Sequence, residues 1–113
     1  DLTRARELYE LAAAQGDASA QYNLGIMHHD GRGGPQDFTR SRELYELAAA
    51  QGDAEAMVSI GELYAKGQGV EQDLNEAMRW FLKAKAHGRD VSQHVEWIMN
   101  QRRRQKAASP SKE

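Results

Sequence analysis

Residues 1–18 read DLTRARELYELAAAQGDA, and residues 37–54 read DFTRSRELYELAAAQGDA. Sixteen of the eighteen positions agree at an offset of 36 residues; only Leu2/Phe38 and Ala5/Ser41 differ. The same offset lays Asp73, Leu74, Ala77, Trp80, Phe81, Ala84 and Gly88 under Asp37, Phe38, Ser41, Leu44, Tyr45, Ala48 and Gly52. It also lays QYNLGIMHHDGRG (21–33) over MVSIGELYAKGQG (57–69). No gap is needed. Self-similarity at a fixed period of this size marks an array of stacked supersecondary units.

Within each unit the apolar spacing is helical. Ala5, Leu8, Tyr9 and Ala12 stand at i, i+3, i+4 and i+7, as do Met57, Ile60, Gly61 and Tyr64. Asp1, Asp37 and Asp73 precede one helix type as N-caps, with Glu76 placed to complete a capping box, and Asp17, Asp53 and Asp90 precede the other. Gly16, Gly52 and Gly88 sit where a left-handed C-terminal turn is wanted. The stretches DGRGGPQ (30–36) and KGQGVEQ (66–72) are too glycine-rich to stay helical, and Pro35 bars helix from the residue before it. The spacing predicts six helices, near 2–15, 18–29, 38–51, 54–66, 74–87 and 91–105, and no strands.

Composition narrows the function. Of 45 apolar residues 17 are alanine, so the core must be thin and drawn out along the array. With no cysteine there is no disulfide scaffold, thiolate zinc site or cysteine nucleophile. No apolar run approaches the roughly 20 residues of a membrane span, and no targeting segment is visible. Residues 1–100 carry a net charge of −6 and residues 101–113 one of +4. An acidic body is a poor footprint for nucleic acid.

The motifs Ala-x-x-x-Leu-Gly at 20–25, Gly31-x-Gly33 followed by Asp37, and Leu-Tyr-x-x-Ala-Ala at 44–49 resemble the Sel-1-like repeat family of the tetratricopeptide superfamily. The second copy supplies Ala56, Ile60, Gly61, Tyr64, Gly67-x-Gly69, Asp73, Ala77, Trp80, Phe81 and Ala84. The resemblance implies an all-α, right-handed superhelix of antiparallel helix pairs over residues 1–106. Its phasing makes 1–16 the second helix of a partial repeat, 17–52 and 53–88 full repeats, 89–106 a capping helix and 107–113 a disordered tail. Two positions depart from the pattern: His28 stands where Tyr64 does in the next copy, and Trp97 where Gly25 and Gly61 do. Glycine lets paired helices approach closely. Tyr9, Tyr45 and Phe81, with Ala5, Ser41 and Ala77, mark the shared interface.

Catalysis is not expected. His28 and His29 are adjacent, so on a helix they point about 100° apart and cannot share an ion. His28 is expected in the tyrosine's packing position. No nucleophile–base set, zinc-helix motif or phosphate loop is present, so neither metal nor cofactor is expected. Arg102, Arg103 and Arg104 form a basic helix end that complements its own dipole, with docking of an acidic partner as a secondary reading.

In the superfamily the first helix of each repeat lines a concave surface that takes up peptides or proteins. Carried over by position, the groove here is Tyr22, Asn23, Ile26, His29, Val58, Glu62, His94 and Ile98, flanked by Ser19, Glu55, Ser59, Val91 and Val95. The 36-residue offset puts Tyr22, Val58 and His94 in one row and Ile26, Glu62 and Ile98 in the next, neither needed for stacking. The groove lacks the basic rows that clamp a C-terminal carboxylate in related domains, which favours a neutral-to-basic partner with small apolar anchors. The sequence thus reads as a non-catalytic protein-interaction scaffold. The alternative is a structural spacer or self-associating module that docks end to end. Neither partner nor compartment is specified.

Overall fold

A computed structural model describes residues 1–108. It holds α1 (Leu2–Ala14), α2 (Ala18–Asp30), α3 (Phe38–Ala50), α4 (Ala54–Lys66), α5 (Leu74–Ala86) and α6 (Ser92–Ala108), with no strand among the described residues. Each helix packs on its sequence neighbours, giving a repeat solenoid. Its extents are 59 × 30 × 17 Å and its radius of gyration is 16.0 Å. A compact domain of about 100 residues would have about 13 Å. The elongation is what a thin, alanine-rich core requires.

Local chemistry sets the ends of α1 to α5. Oδ1 of Asp1, Asp17, Asp37, Asp53 and Asp73 accepts a backbone N–H of the first turn at 2.9–3.2 Å. Such caps contribute about 1 kcal/mol each. Gly31 and Gly67 close α2 and α4 in the left-handed conformation (φ 70° and 69°). The capping box expected at Asp73 forms only in half. Its amide donates instead to Tyr64 O at 3.0 Å, and Glu76 pairs with Arg79. Asp37 N does the same to His28 O at 2.8 Å, so each loop is tied back to the end of its first helix.

The two helices of each pair meet where glycine faces a ring. A Cβ on Gly61 would lie 2.5 Å from Phe81 Cε1, and one on Gly25 would lie 2.6 Å from Tyr45 Cε1. Beside that contact Ser41 Oγ donates to Gly25 O at 2.7 Å, satisfying a buried hydroxyl. Tyr45, Phe81, Ala48, Ala77 and Ala84 are buried here with Met57, Ile60 and Leu63. Tyr9, the first rung of the ladder, is 37% exposed, because no helix among the described residues covers that side of α1.

Sequence reasoning missed one buried cation. Arg6 is 6% exposed, and a Cβ on Gly34 would collide with its guanidinium. Arg6 donates to His28 Nδ1 at 2.7 Å and to Pro35 O at 3.4 Å. A guanidinium only donates, so His28 Nδ1 must be an unprotonated acceptor. His28 is thus half-buried as a partner for Arg6 rather than as a plain core ring.

The helices differ from expectation at α6. It begins at Ser92 and runs through Ala107 and Ala108, strong helix formers where the tail was expected to start. The rest of that tail, 109–113, lies outside the described residues.

Two outcomes follow. Gly61→Ala should destabilise the chain by about 1–3 kcal/mol through overpacking. Combining it with Phe81→Leu should recover part of that loss in a double-mutant cycle read by urea unfolding. Burial, then the Arg6 and Arg40 charges, holds the His28 pKa below its ordinary 6.5. The unfolded chain therefore takes up this proton first as pH falls. Stability from this site is complete above about pH 6.5 and is lost below it, down through the folded-state pKa. Thermal melts should show a steeper fall from pH 7.5 to 5.5 in the native chain than in His28→Gln, whose amide oxygen can still accept from Arg6.

Candidate functional site

The first helices of the pairs, α2 and α4, share one face with α6. Two clefts open on it, on either side of a ridge made by Glu62 and Lys66, which stand one turn apart on α4. The α2–α4 cleft, about 180 Å³, is bordered by Ile26, His29, Asp30, Tyr45 and Ser59. The α4–α6 cleft, about 250 Å³, is bordered by Ala65, Phe81, Gln93, His94 and Trp97.

Most of the groove residues expected on α2 and α4 lie at this face. Tyr22 is half-buried with its ring 5.7 Å from Tyr45, and its hydroxyl is partnered by Ser59. Burial pushes the Tyr22 phenol pKa up, and the charges of Glu55, Asp53 and Glu62 add to the rise. Tyr45 is pushed to about 12, again by burial first. Asn23 is half-buried. His29 borders the cleft, but both ring nitrogens are occupied: Nδ1 lies 2.8 Å from Asp30 Oδ1 and Nε2 3.2 Å from Gln68 Oε1. Its ring also packs on Phe38, with centroids 5.1 Å apart. His29 therefore pins the 67–73 loop to the end of α2. Val58 is only 5% exposed and belongs to the core, so its place in an exposed row is corrected.

The larger correction is on α6. Ile98, expected beside Glu62 in the groove, is 0% exposed, and Val91 is buried with it. Trp97, expected at the glycine position between paired helices, instead borders the cleft and is 41% exposed. The cause is a change of register. Asp53 O accepts from Met57 N where α4 starts, and Val91 O accepts from Val95 N where α6 starts, an offset of 38 rather than 36. Two residues are inserted before α6, so its faces turn by about 200° relative to the gapless alignment. Ile98 then corresponds to Ile60, also 0% exposed, and Met99, 44% exposed, takes the place of Gly61. One signal in the sequence points to this: Val91, Val95 and Ile98 form an i, i+4, i+7 stripe that places Trp97 off the buried face. Asp90 holds the new start, accepting from both the amide and the hydroxyl of Ser92, which keep its carboxyl below the usual carboxylate range.

His94 reaches the groove by a different neighbourhood than expected. Its ring lies 4.9 Å from Phe81, and its Nε2 lies 3.6 Å from Glu62 Oε2. Of the basic run, Arg102 donates to Asn75 Oδ1 at 2.7 Å and so is tied to α5. Arg103 donates to Asn100, and Arg104 is exposed. Three consecutive residues spread around a helix, so they form no single basic face. No group of three or more His, Asp or Glu placed to hold a metal occurs among the described residues. No helix among them is long and apolar enough to cross a membrane.

Stacked antiparallel helix pairs with glycine under an aromatic ring and a helical face left open define a helical-repeat solenoid. The chain belongs to the Sel1 repeat family, whose pattern matches residues 1–17, 18–53 and 54–88. A crystal structure of a Sel1 repeat protein from Oxalobacter formigenes is similar, with 38% identity and a TM-score of 0.73 over 78% of this chain and 36% of that one. So is the crystal structure of c5321, a protective antigen of uropathogenic Escherichia coli with the same repeat fold: 31% identity and a TM-score of 0.79 over 82% of this chain and 20% of that one. The chain thus spans well under half the length of either. A comparison with curated proteins finds no match.

The register correction separates two neighbouring residues by effect. Ile98→Ala should cost about 2–5 kcal/mol, as buried aliphatic truncations do. Trp97→Ala should stay within the ~0.5 kcal/mol usual for surface sites. Urea unfolding of the two variants checks the difference.

Proposed function

We propose that this chain is a non-catalytic scaffold that binds a peptide or partner protein across the concave face formed by α2, α4 and α6. What carries the reading is the pair of clefts flanking the Glu62–Lys66 ridge, walled by Ile26 on one side and by an exposed Trp97 on the other. Adjacent clefts on neighbouring helices accept successive side chains of an extended segment. Exposed tryptophan is the residue type most enriched among binding hot spots. The family's general role as a protein-interaction module supports the same reading. We place the groove at Ile26, His29, Glu62, Lys66, His94 and Trp97, which line the clefts, with half-buried Tyr22 and Asn23 beside them on α2 and with Val58 and Ile98 removed to the core.

End-to-end self-association has one observation in its favour: Leu8 and Tyr9 are 50% and 37% exposed, whereas their counterparts Leu44 and Tyr45 are 1% and 3% exposed. The matching surface on α6 speaks against it. Met99 stands where α2 and α4 carry glycine, and a ring such as that of Tyr9 needs a glycine beneath it to dock as Tyr45 and Phe81 do.

Once a partner is isolated by affinity capture on the intact chain, Trp97→Ala and Glu62→Lys should each weaken its binding. The loss at Trp97 should be about thirtyfold, corresponding to about 2 kcal/mol. Neither should move the melting temperature appreciably. Retained binding in both variants, with loss on neutralising Arg103 and Arg104, would transfer the site to the end of α6.

A further inference from the structure

The α4–α6 cleft has a composition that selects a particular guest. Its floor is Phe81, 1% exposed, its sides are Ala65 and the His94 ring, and Trp97 stands at its mouth with Gln93, Glu62 and Lys66. At about 250 Å³ it falls below the roughly 300–1,000 Å³ of small-molecule sites. It suits one long side chain.

Charge identifies that side chain. Three carboxylates on or beside α2 and α4 are engaged: Glu55 with Arg89, Asp30 with His29 and Arg32, and Asp53 with the Ala56 amide. Glu62 has one ion-pair contact among the described residues, to His94 Nε2 at 3.6 Å, beyond good hydrogen-bond length. It borders both clefts and keeps most of its acceptor capacity unused at the edge of the aromatic-walled one. An acidic guest would be repelled there, and a purely apolar one would cover the carboxylate without pairing it, which is unfavourable. A guanidinium meets both demands. It is planar, so it stacks on an indole face, and it forks onto a carboxylate with two parallel N–H donors. The net charge of −6 over residues 1–100 draws a cationic segment in the same direction. Lys66 opposes it from the rim, one turn along from Glu62.

We infer that the α4–α6 cleft is an anchor pocket for an arginine side chain of the bound segment, stacked on Trp97 and paired with Glu62. The inference rests on the concave-face reading above and adds to it the chemistry of one subsite. Glu62 and Trp97 become the specificity-determining residues, and Lys66 tunes the affinity downward.

The probe is an acetyl- and amide-blocked heptapeptide with one central arginine among leucine and alanine, titrated into the full chain and followed by amide and indole NMR shifts. The Trp97 indole and the Glu62 and His94 amides should shift saturably. The same peptide with citrulline, which keeps the shape without the charge, should bind at least tenfold more weakly. Glu62→Gln should weaken the arginine peptide at least fivefold, and Lys66→Ala should tighten it about twofold; retained amide dispersion shows that both variants fold. Equal binding of the citrulline peptide, or indifference to Glu62→Gln, overturns the arginine pocket. Shifts at Ile26 and Ser59 that ignore the central residue overturn the pocket while supporting the concave face. Shifts confined to Arg103 and Arg104, or no shifts at all, overturn both.

Discussion

Phe81 lies on Gly61, and Tyr45 on Gly25, at a separation that admits no methyl group. This contact sets how near the two helices of a pair can come, and most of the architecture follows from it. Close helices leave little room between them, so the second helices are filled with alanine at Ala48, Ala49, Ala77 and Ala84, all 4% exposed or less. Alanines, one ring and a few aliphatic side chains per pair bury too little area to hold a single pair together. Stacking on the next pair supplies the remainder. The array is accordingly long and narrow, and its exposed helical face is a by-product of the same geometry.

The repeat, its helices and its caps were legible because they rest on local, recurring chemistry: an aspartate before each of α1 to α5, a glycine after it, a ring four residues from a small side chain. Arg6 was not legible. Its counterpart Arg42 makes an ordinary i, i+4 pair with Glu46, and nothing in the sequence says that Gly34 opens a seat for the Arg6 guanidinium beside His28. That arrangement depends on a loop 28 residues away folding back over the start of α1, which no local pattern encodes.

The groove was half legible for a related reason. On α2 and α4 the Leu24-Gly25 and Ile60-Gly61 pairs lock the alignment, and Ile26, His29 and Glu62 border the clefts while Val58 is buried. On α6 the glycine is gone, so a gapless alignment carried the old register past an insertion that it had no means to detect. The burial stripe of Val91, Val95 and Ile98 was the better guide, because it reports which face meets α5 whatever the motif says.

That insertion links the packing of α6 to the opening of the groove. Turning α6 by about 200° places Ile98 in the core, which anchors the helix without any glycine contact. It also puts Met99 where a further second helix would need glycine, so α6 cannot receive one at the close distance used by α3 and α5. The same rotation carries Trp97 to the groove side, opposite Glu62. In the original register a glutamate, Glu96, would occupy the buried position of Ile60, and an uncompensated charge there would be strongly unfavourable. The shifted register is therefore the one the core permits. The aromatic wall of the proposed arginine pocket is a consequence of the register of α6.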